Sequence, residues 1–440
     1  MPEPKRSLGL LQATAMVVGT IIGASIFVQP SEITAQVPSL GGALLVWAVA
    51  GFLTLLGALI TAELASALPR AGGVYRFLHE AHSPALGFLW GWAMFWVMHS
   101  GIIAAIAMVF ARYAGFFLPL GDAGIRAVAI GAILALSAVN WIGVRQGAAL
   151  QTGFTIAKVF AIALVLVAAV TLGAALPEHF VGATNPGSIR PTAFATAVGA
   201  GLFAFGGWHM VTYTAEETRN PERTIPRALA IGVVVVTASY IALNAAYLYV
   251  LPLDAVIAST RVAADAADVL LGSGGGALMS ALVLVSTFGA LSGIVLTGPR
   301  VYYAMAGDGL MFRWAGELHP RFLTPHRAIL LQAVWASVLV ATGTYGGLIR
   351  RVIFTEWLFF ALMAVGLLRL RRRPGHDPAF RVPWLGAVVT LFAGASLLIV
   401  VNQIVTQPAE SAKGLLLVAG GLPVYLWWSR RRPHPPDTQP

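Results

Sequence analysis

The chain of 440 residues contains no cysteine. That absence excludes disulfides, thiolate metal sites and a cysteine nucleophile, and it leaves the redox compartment open. Charge is also scarce. Asp, Glu, Lys and Arg make up 10% of the residues, where about a quarter is usual for soluble domains. A soluble protein of this size must cover its surface with polar groups, so most of the outer surface here must face lipid. Acidic residues are rarer than basic ones, 18 against 28, for a formal net charge of +10. The basic residues sit in short clusters between apolar runs, with no basic domain, arm or RNA-binding motif, which argues against a nucleic-acid partner. Missing too are the HExxH and GxSxG patterns and any clustered pair of intramembrane aspartates, which argues against a membrane-embedded enzyme. His79 and His82 look like a metal pair, but their short loop offers no third ligand, and no cofactor is expected.

What the chain has in abundance is apolar sequence: 58% hydrophobic residues and a mean hydropathy of +0.79. A membrane span needs roughly 20 mostly apolar residues. Twelve segments qualify: 9–37, 40–68, 84–113, 126–142, 152–176, 192–217, 226–250, 276–306, 327–346, 352–370, 383–405 and 414–429. No soluble domain fits between them. Lys5 and Arg6 followed by apolar residues superficially resemble a signal peptide, but the stretch continues to Val28 without a small-x-small cleavage site and reads as the first span. With the N-terminus inside, the inner loops hold about 20 Lys and Arg and the outer loops about 7, which orients both termini to the cytoplasm. Trp427 and Trp428, just before Arg430, read as an interfacial belt closing the last span.

Spans 1 and 6 share an irregularity. The first reads Gly19-Thr20-Ile21-Ile22-Gly23-Ala24-Ser25-Ile26-Phe27, and the sixth Phe203-Ala204-Phe205-Gly206-Gly207-Trp208-His209. Glycine in a helix interior costs about 1 kcal/mol relative to alanine, so paired glycines beside small residues mark places where a helix can unwind or be closely approached. Gly19/Gly23 also fits the GxxxG packing pattern, as do Gly87/Gly91 and Gly289/Gly293. The matching interruption five spans later favours unwinding. Span 1 starts inside and span 6 outside, so two five-helix units run in opposite senses, as in inverted-repeat transporters with a midplane site. A half-helix restarting after Gly23 presents free N–H groups and the positive end of its dipole to a carboxylate. Unwound carbonyls near Phe203 to Gly206 accept from an ammonium. Such unsatisfied backbone is tolerated at membrane depth only where it lines a cavity, and an amino acid fits both ends.

At these residues the chain resembles the amino acid–polyamine–organocation superfamily, and within it the L-type neutral amino acid transporters and their bacterial relatives. The stretch Gly19 to Val28 is similar to the family's first-helix motif. The stretch Phe203 to His209, followed by Glu216-Glu217-Thr-Arg-Asn-Pro-Glu-Arg-Thr-Ile-Pro226, is similar to the L-type signature. Further matches are Glu63 to Tyr75, Ser286 to Gly293 and Ala306 to Leu310. The resemblance implies an all-α integral membrane protein with a LeuT-like fold: repeats over 9–176 and 192–370, two additional helices over 383–429, and about 12 transmembrane helices in a single domain. It implies a substrate carboxylate near the backbone of Gly23, Ala24 and Ser25, and a substrate ammonium near Ile21, Phe203, Ala204 and Gly206, with Gly207 beside them. Ser25 stands where the family usually has glycine, and His209 where the animal L-type proteins often have asparagine. Trp208 reads as a gate over the substrate, with His209 affecting side-chain preference.

Lys158 lies in the apolar stretch Thr155 to Ile162, roughly 9 Å along span 5 if that helix starts near Thr152. It either snorkels to the cytoplasmic face or is a buried ammonium. The resemblance implies the second: an ammonium where sodium-coupled relatives hold sodium, able to release and rebind a proton. Glu216 and Glu217 read as a solvated inner rim, Glu63 as structural or gate-related, Glu356 as the acid opening span 10, and His99 as a satisfied core histidine. The expectation is therefore a sodium-independent carrier of neutral L-amino acids, by alternating access and with a lean toward exchange, in the bacterial inner membrane. A proton-coupled symporter, or one for cationic amino acids or polyamines, is the alternative, though no carboxylate lies next to either break in sequence. A channel or sensor is a further possibility. Animal L-type proteins join a single-span subunit through a cysteine, and none exists here.

Overall fold

The computed structural model describes residues 6–23, 25–27, 29–173, 190–259, 261–343 and 345–430, with the side chains of residues 273 and 345–354 outside the description. The first crossing is α1 (Leu10–Ile21), a 3-10 turn (Ser25–Phe27) and α2 (Gln29–Gln36). Then come α3 (Leu40–Ala67), the short α4 (Val74–Ala81), and a third crossing made of α5 (Pro84–Ala93), a π turn (Met94–Met98) and α6 (His99–Ala114). After α7 (Asp122–Ile142) and α8 (Val144–Leu172), the sixth crossing is α9 (Pro191–Ala204) plus a 3-10 segment (Trp208–Glu217). The seventh is α10 (Pro221–Val250), and α11 (Leu253–Ala258) and α12 (Val262–Leu271) lead to α13 (Gly275–Gly307). The chain ends with α14 (His326–Thr342), α15 (Tyr345–Arg371), α16 (Leu385–Thr406), and a last crossing of α17 (Pro408–Ala419) and α18 (Gly421–Ser429).

Eight of the described helical segments are long and apolar enough to cross a membrane, and α1 and α14 are shorter apolar helices. Their outward faces carry large apolar side chains with nothing from the protein over them, Phe160 at 69% and Val170 at 79% exposure among them. In water that surface would be unfavourable; in hydrocarbon it costs nothing. Local signals start helices where the sequence provides caps. The Ser39 hydroxyl accepts from Gly42 N at 3.0 Å, and Ser83 accepts from Leu86 N with Pro84 at the first helical position.

Several helices extend beyond their apolar windows. Helix α8 begins at Val144 rather than near Thr152, α10 at Pro221 rather than 226, and α15 at Tyr345 rather than 352. Hydropathy marks the part of a helix inside hydrocarbon, while the backbone ladder continues through polar residues until a cap or glycine ends it. Packing sorts the crossings into two groups. Helices α1, α3 and α10 pack together with the 3-10 segment of the sixth crossing, while α6, α7, α13 and α14 form the other group. Helix α8 packs against both α1 and α13, and α15 pairs with α16.

Buried ion pairs tie distant segments together. Arg300 on α13 donates to both carboxylate oxygens of Glu217, at 3.1 and 3.0 Å, and also to the Leu296 carbonyl. Both residues are buried, which corrects the expected solvated rim at Glu217. Main-chain bonds bind the N-terminal segment to the same place: Ser7 N and Leu8 N donate to the Glu217 carbonyl, and Arg219 N to that of Leu8. Glu216 accepts from Ala71 N at 3.1 Å. Glu63 on α3 is wholly buried and takes Arg371, His376 and the Val382 N–H, tying α3 to the α15–α16 connection.

Removing one member of a buried ion pair strands the other charge at a cost of about 3–5 kcal/mol, whereas replacing both can be neutral. Arg300→Leu is therefore expected to lower the unfolding temperature in detergent sharply, and Arg300→Leu with Glu217→Leu to recover most of it. Equal losses in the single and double variants would show that the pair is not the cause.

Candidate functional site

The first break is built from α1 and what packs on it. Gly19 lets α8 approach closely: a Cβ there would lie 2.1 Å from Gln151 Nε2 and 2.2 Å from Thr155 Oγ1. Thr155 Oγ1 in turn donates to the Ala15 carbonyl at 3.0 Å. Helix α1 stops at Ile21, and the Gly23 N–H turns back to the Ile21 carbonyl at 2.8 Å instead of reaching Gly19. The helical acceptors of the last turn are thereby orphaned. Lys158 takes them up. Its Nζ donates to the carbonyls of Gly19 at 3.1 Å and Ile22 at 2.6 Å, and across to that of Ser286 on α13 at 2.9 Å. Three donors meet three acceptors.

Lys158 is only 2% exposed. Because α8 starts at Val144, this lysine lies about 21 Å along its helix, near the middle, rather than one or two turns from the end. Snorkelling is excluded by that depth and by the three bonds.

The second break faces the first. Helix α9 ends at Ala204, and Gly206 N bonds the Phe203 carbonyl at 3.0 Å. Gly207 has φ +97°, a conformation L side chains rarely adopt, and lies against the Thr20 carbonyl. Thr20 Oγ1 is within 3.2 Å of the Gly207 carbonyl, so the two interruptions touch. Tyr240 of α10 bridges them: its hydroxyl is 3.0 Å from the Ile21 carbonyl and 3.1 Å from that of Ala204. A phenol has one proton, so it serves one of those carbonyls at a time. The ring is held edge-on by Trp47, with centroids 5.2 Å apart, and lies 5.0 Å from Phe205. Tyr240 escapes sequence reading, because a tyrosine in an apolar span shows only that its hydroxyl needs a partner.

A cavity opens between the breaks. Ile21, Gly23, Ser25, Phe203, Ala204, Gly206, Gly207 and Trp208 all line it. It is small, with about 70 Å³ of space that the centre of a water molecule can reach. Ala24 lies outside the described residues. His209 does not reach the cavity wall; its ring packs behind Trp208 against Trp90, Tyr213 and Phe360. Lys158 faces a separate small space with Phe27 and Ser286. His99 Nε2 bonds the Ile294 carbonyl at 2.8 Å, and Gln332 donates to the Val295 carbonyl at 3.2 Å, the acceptor that Pro299 leaves unused in α13.

One lining residue overturns an expectation. Glu356 does not open its helix. It lies eleven residues after the start of α15 at Tyr345, is 9% exposed, and joins Trp357 and Phe360 on the cavity wall. A carboxylate therefore does stand at the breaks, on a helix distant in sequence. The misplaced start of α15 concealed it.

A helical bundle with two crossings broken side by side around a small, closed-over cavity is the architecture of a secondary transporter. The chain belongs to the amino acid permease family, which it matches over residues 8–427, and shares that family's LeuT-like arrangement of about twelve helices. It is 34% identical to the serine/threonine exchanger SteT of Bacillus subtilis, over 97% of this chain and 98% of that one. It is 32% identical to the human b(0,+)-type amino acid transporter 1 over 96% of this chain and 89% of that one. It is also 30% identical to the human large neutral amino acids transporter small subunit 2 over 97% and 82%. The family and these relatives are transporters, and the chain is a multi-pass membrane protein.

Tyr240→Phe keeps the ring packing and removes the bridge. It is expected to cost about 1 kcal/mol of stability while altering the KM for amino acid uptake by reconstituted protein. An unchanged KM would mean that the hydroxyl only fastens the two helix ends.

Proposed function

We propose that the chain is a sodium-independent exchanger of neutral L-amino acids working by alternating access. The single observation that carries this reading is the Lys158 ammonium on three carbonyls from α1 and α13. A cation bonded to backbone oxygens there leaves a sodium ion neither room nor charge to balance. The substrate carboxylate then lies at the backbone of Gly23, Ala24 and Ser25, where the dipole of the following helical turns favours an anion. The ammonium lies toward the carbonyls of Ile21, Ala204 and Gly206, with Phe203 and Gly207 shaping the turn. Trp208 closes over the substrate, and His209 backs it. Lys158 carries the ion coupling. The names of the relatives, a serine/threonine exchanger foremost, support exchange and small substrates.

The same reading places both termini in the cytoplasm and the protein in the plasma membrane, supported by the inner excess of basic residues. It takes 9–176 and 192–370 as inverted repeats and 383–429 as an appendage. Contacts of α1 with the sixth crossing and of α3 with α10, which hold corresponding positions in the two halves, support that division.

Counterflow of labelled amino acids into proteoliposomes preloaded with unlabelled ones, with and without sodium, tests the proposal. Uptake that needs a preloaded neutral amino acid and ignores sodium is expected; no uptake of any amino acid would sink it. Lys158→Met should abolish or uncouple transport in a protein that still elutes as a folded species, while wild-type uptake with an unchanged pH profile would confine the lysine to packing. Ser25→Gly should preserve or raise uptake, and complete loss in folded protein would mean that Ser25 does something the family's glycine cannot.

A further inference from the structure

The cavity wall carries one charged side chain among its described residues, Glu356. Its carboxylate is nine-tenths buried and makes no hydrogen bond or ion pair with any described residue. A carboxylate at membrane depth is costly unless protonated or matched by a cation. The titratable neighbours do not neutralise it. From the sixth crossing His209 and Tyr213 pack behind this wall, and neither has a hydrogen-bond partner on its polar side-chain atoms; from α6, His99 is bonded to Ile294. Glu63 of α3 is paired with Arg371, Arg76 of α4 with Asp308, and Glu410 of α17 with Lys413, while α16 bears no ionisable residue. Lys158 is occupied by its three carbonyls.

We propose that Glu356 sets the charge of the closed cavity, which shuts only over one matching positive charge. This rests on the transport reading above and deepens it to substrate class. A neutral amino acid is a zwitterion: beside an ionised Glu356 it leaves one net negative charge, and beside a protonated Glu356 it leaves none. An amino acid with an amine in its side chain carries net charge +1 and balances the ionised carboxylate directly. The aromatic faces of Trp208, Trp357 and Phe360 on the same wall suit that amine. The pocket thus accepts a zwitterion together with a proton on Glu356, or a cationic amino acid without one. As pH rises Glu356 loses its proton, so preference moves from the neutral to the cationic substrate.

The test is competition by L-lysine and by L-threonine against labelled L-threonine counterflow in proteoliposomes, followed across neutral pH. Titration of Lys158 affects both competitors alike and cancels in their ratio. For the wild type, the potency of lysine relative to threonine is expected to rise by about tenfold per pH unit. Glu356→Gln should weaken inhibition by lysine relative to threonine and give a ratio that is flat with pH; Glu356→Asp should keep the slope. A flat wild-type ratio, or a wild-type slope in Glu356→Gln, overturns the inference. If Glu356→Gln fails to fold, the wild-type slope decides alone. Absence of all uptake by the wild type sinks the transport reading instead, and thermal stabilisation by each amino acid across the same pH range then supplies the ratio.

Discussion

Everything at the centre of this protein depends on backbone groups that cannot reach water. A helix that stops at membrane depth exposes carbonyls and N–H groups, and hydrocarbon offers them nothing. The break after Ile21 is sustained by a cation brought from α8, the break after Ala204 by contact with Thr20, and the gap between them by Tyr240. None of these supports is local in sequence. Gly19 makes the first possible by letting α8 approach α1 closely, which brings Lys158 to its acceptors. The close-packing and unwinding interpretations of the helix 1 glycines are therefore not rivals: Gly19 packs, and Gly23, whose Cβ would have ordinary contacts, turns.

This division also explains the polarity of the interior. Some buried charges are paired and fixed, as with Glu217 and Arg300 or Glu63 and Arg371. In the middle the charges are single. Lys158 is neutralised by dipoles, and Glu356 faces open space. Paired ions hold a shape, whereas unpaired ones respond to what enters.

Much of the fold was legible because hydropathy and glycine placement report directly on lipid and on helix interruption. The two breaks could be located from Gly23 and from Gly206-Gly207. Depth was harder to read. Apolar windows miss the polar turns that begin α8 and α15, so Lys158 seemed shallow and Glu356 terminal when both are mid-helix. Partners were illegible for a different reason. Arg300 and Glu217 are 83 residues apart, and Tyr240 meets Ile21 across 219; no periodicity encodes such a meeting, which exists only after the helices pack. His209 was read from its place beside Trp208, but successive residues of a tight helical turn point in different directions, and it faces away from the cavity.

The short strap formed by Ser7 and Leu8 on Glu217 and Thr218 is made of main-chain bonds and a single parallel bridge. It fastens the entry to the first broken helix onto the exit of the second, so the two cannot separate without parting it. In a chain devoid of thiols, a pair of cysteines introduced at the exposed Arg6 and Asn220, which flank the strap, would be the only thiols in the molecule. Spectroscopic labels there would turn the strap into a ruler for the working cycle, with no background to subtract.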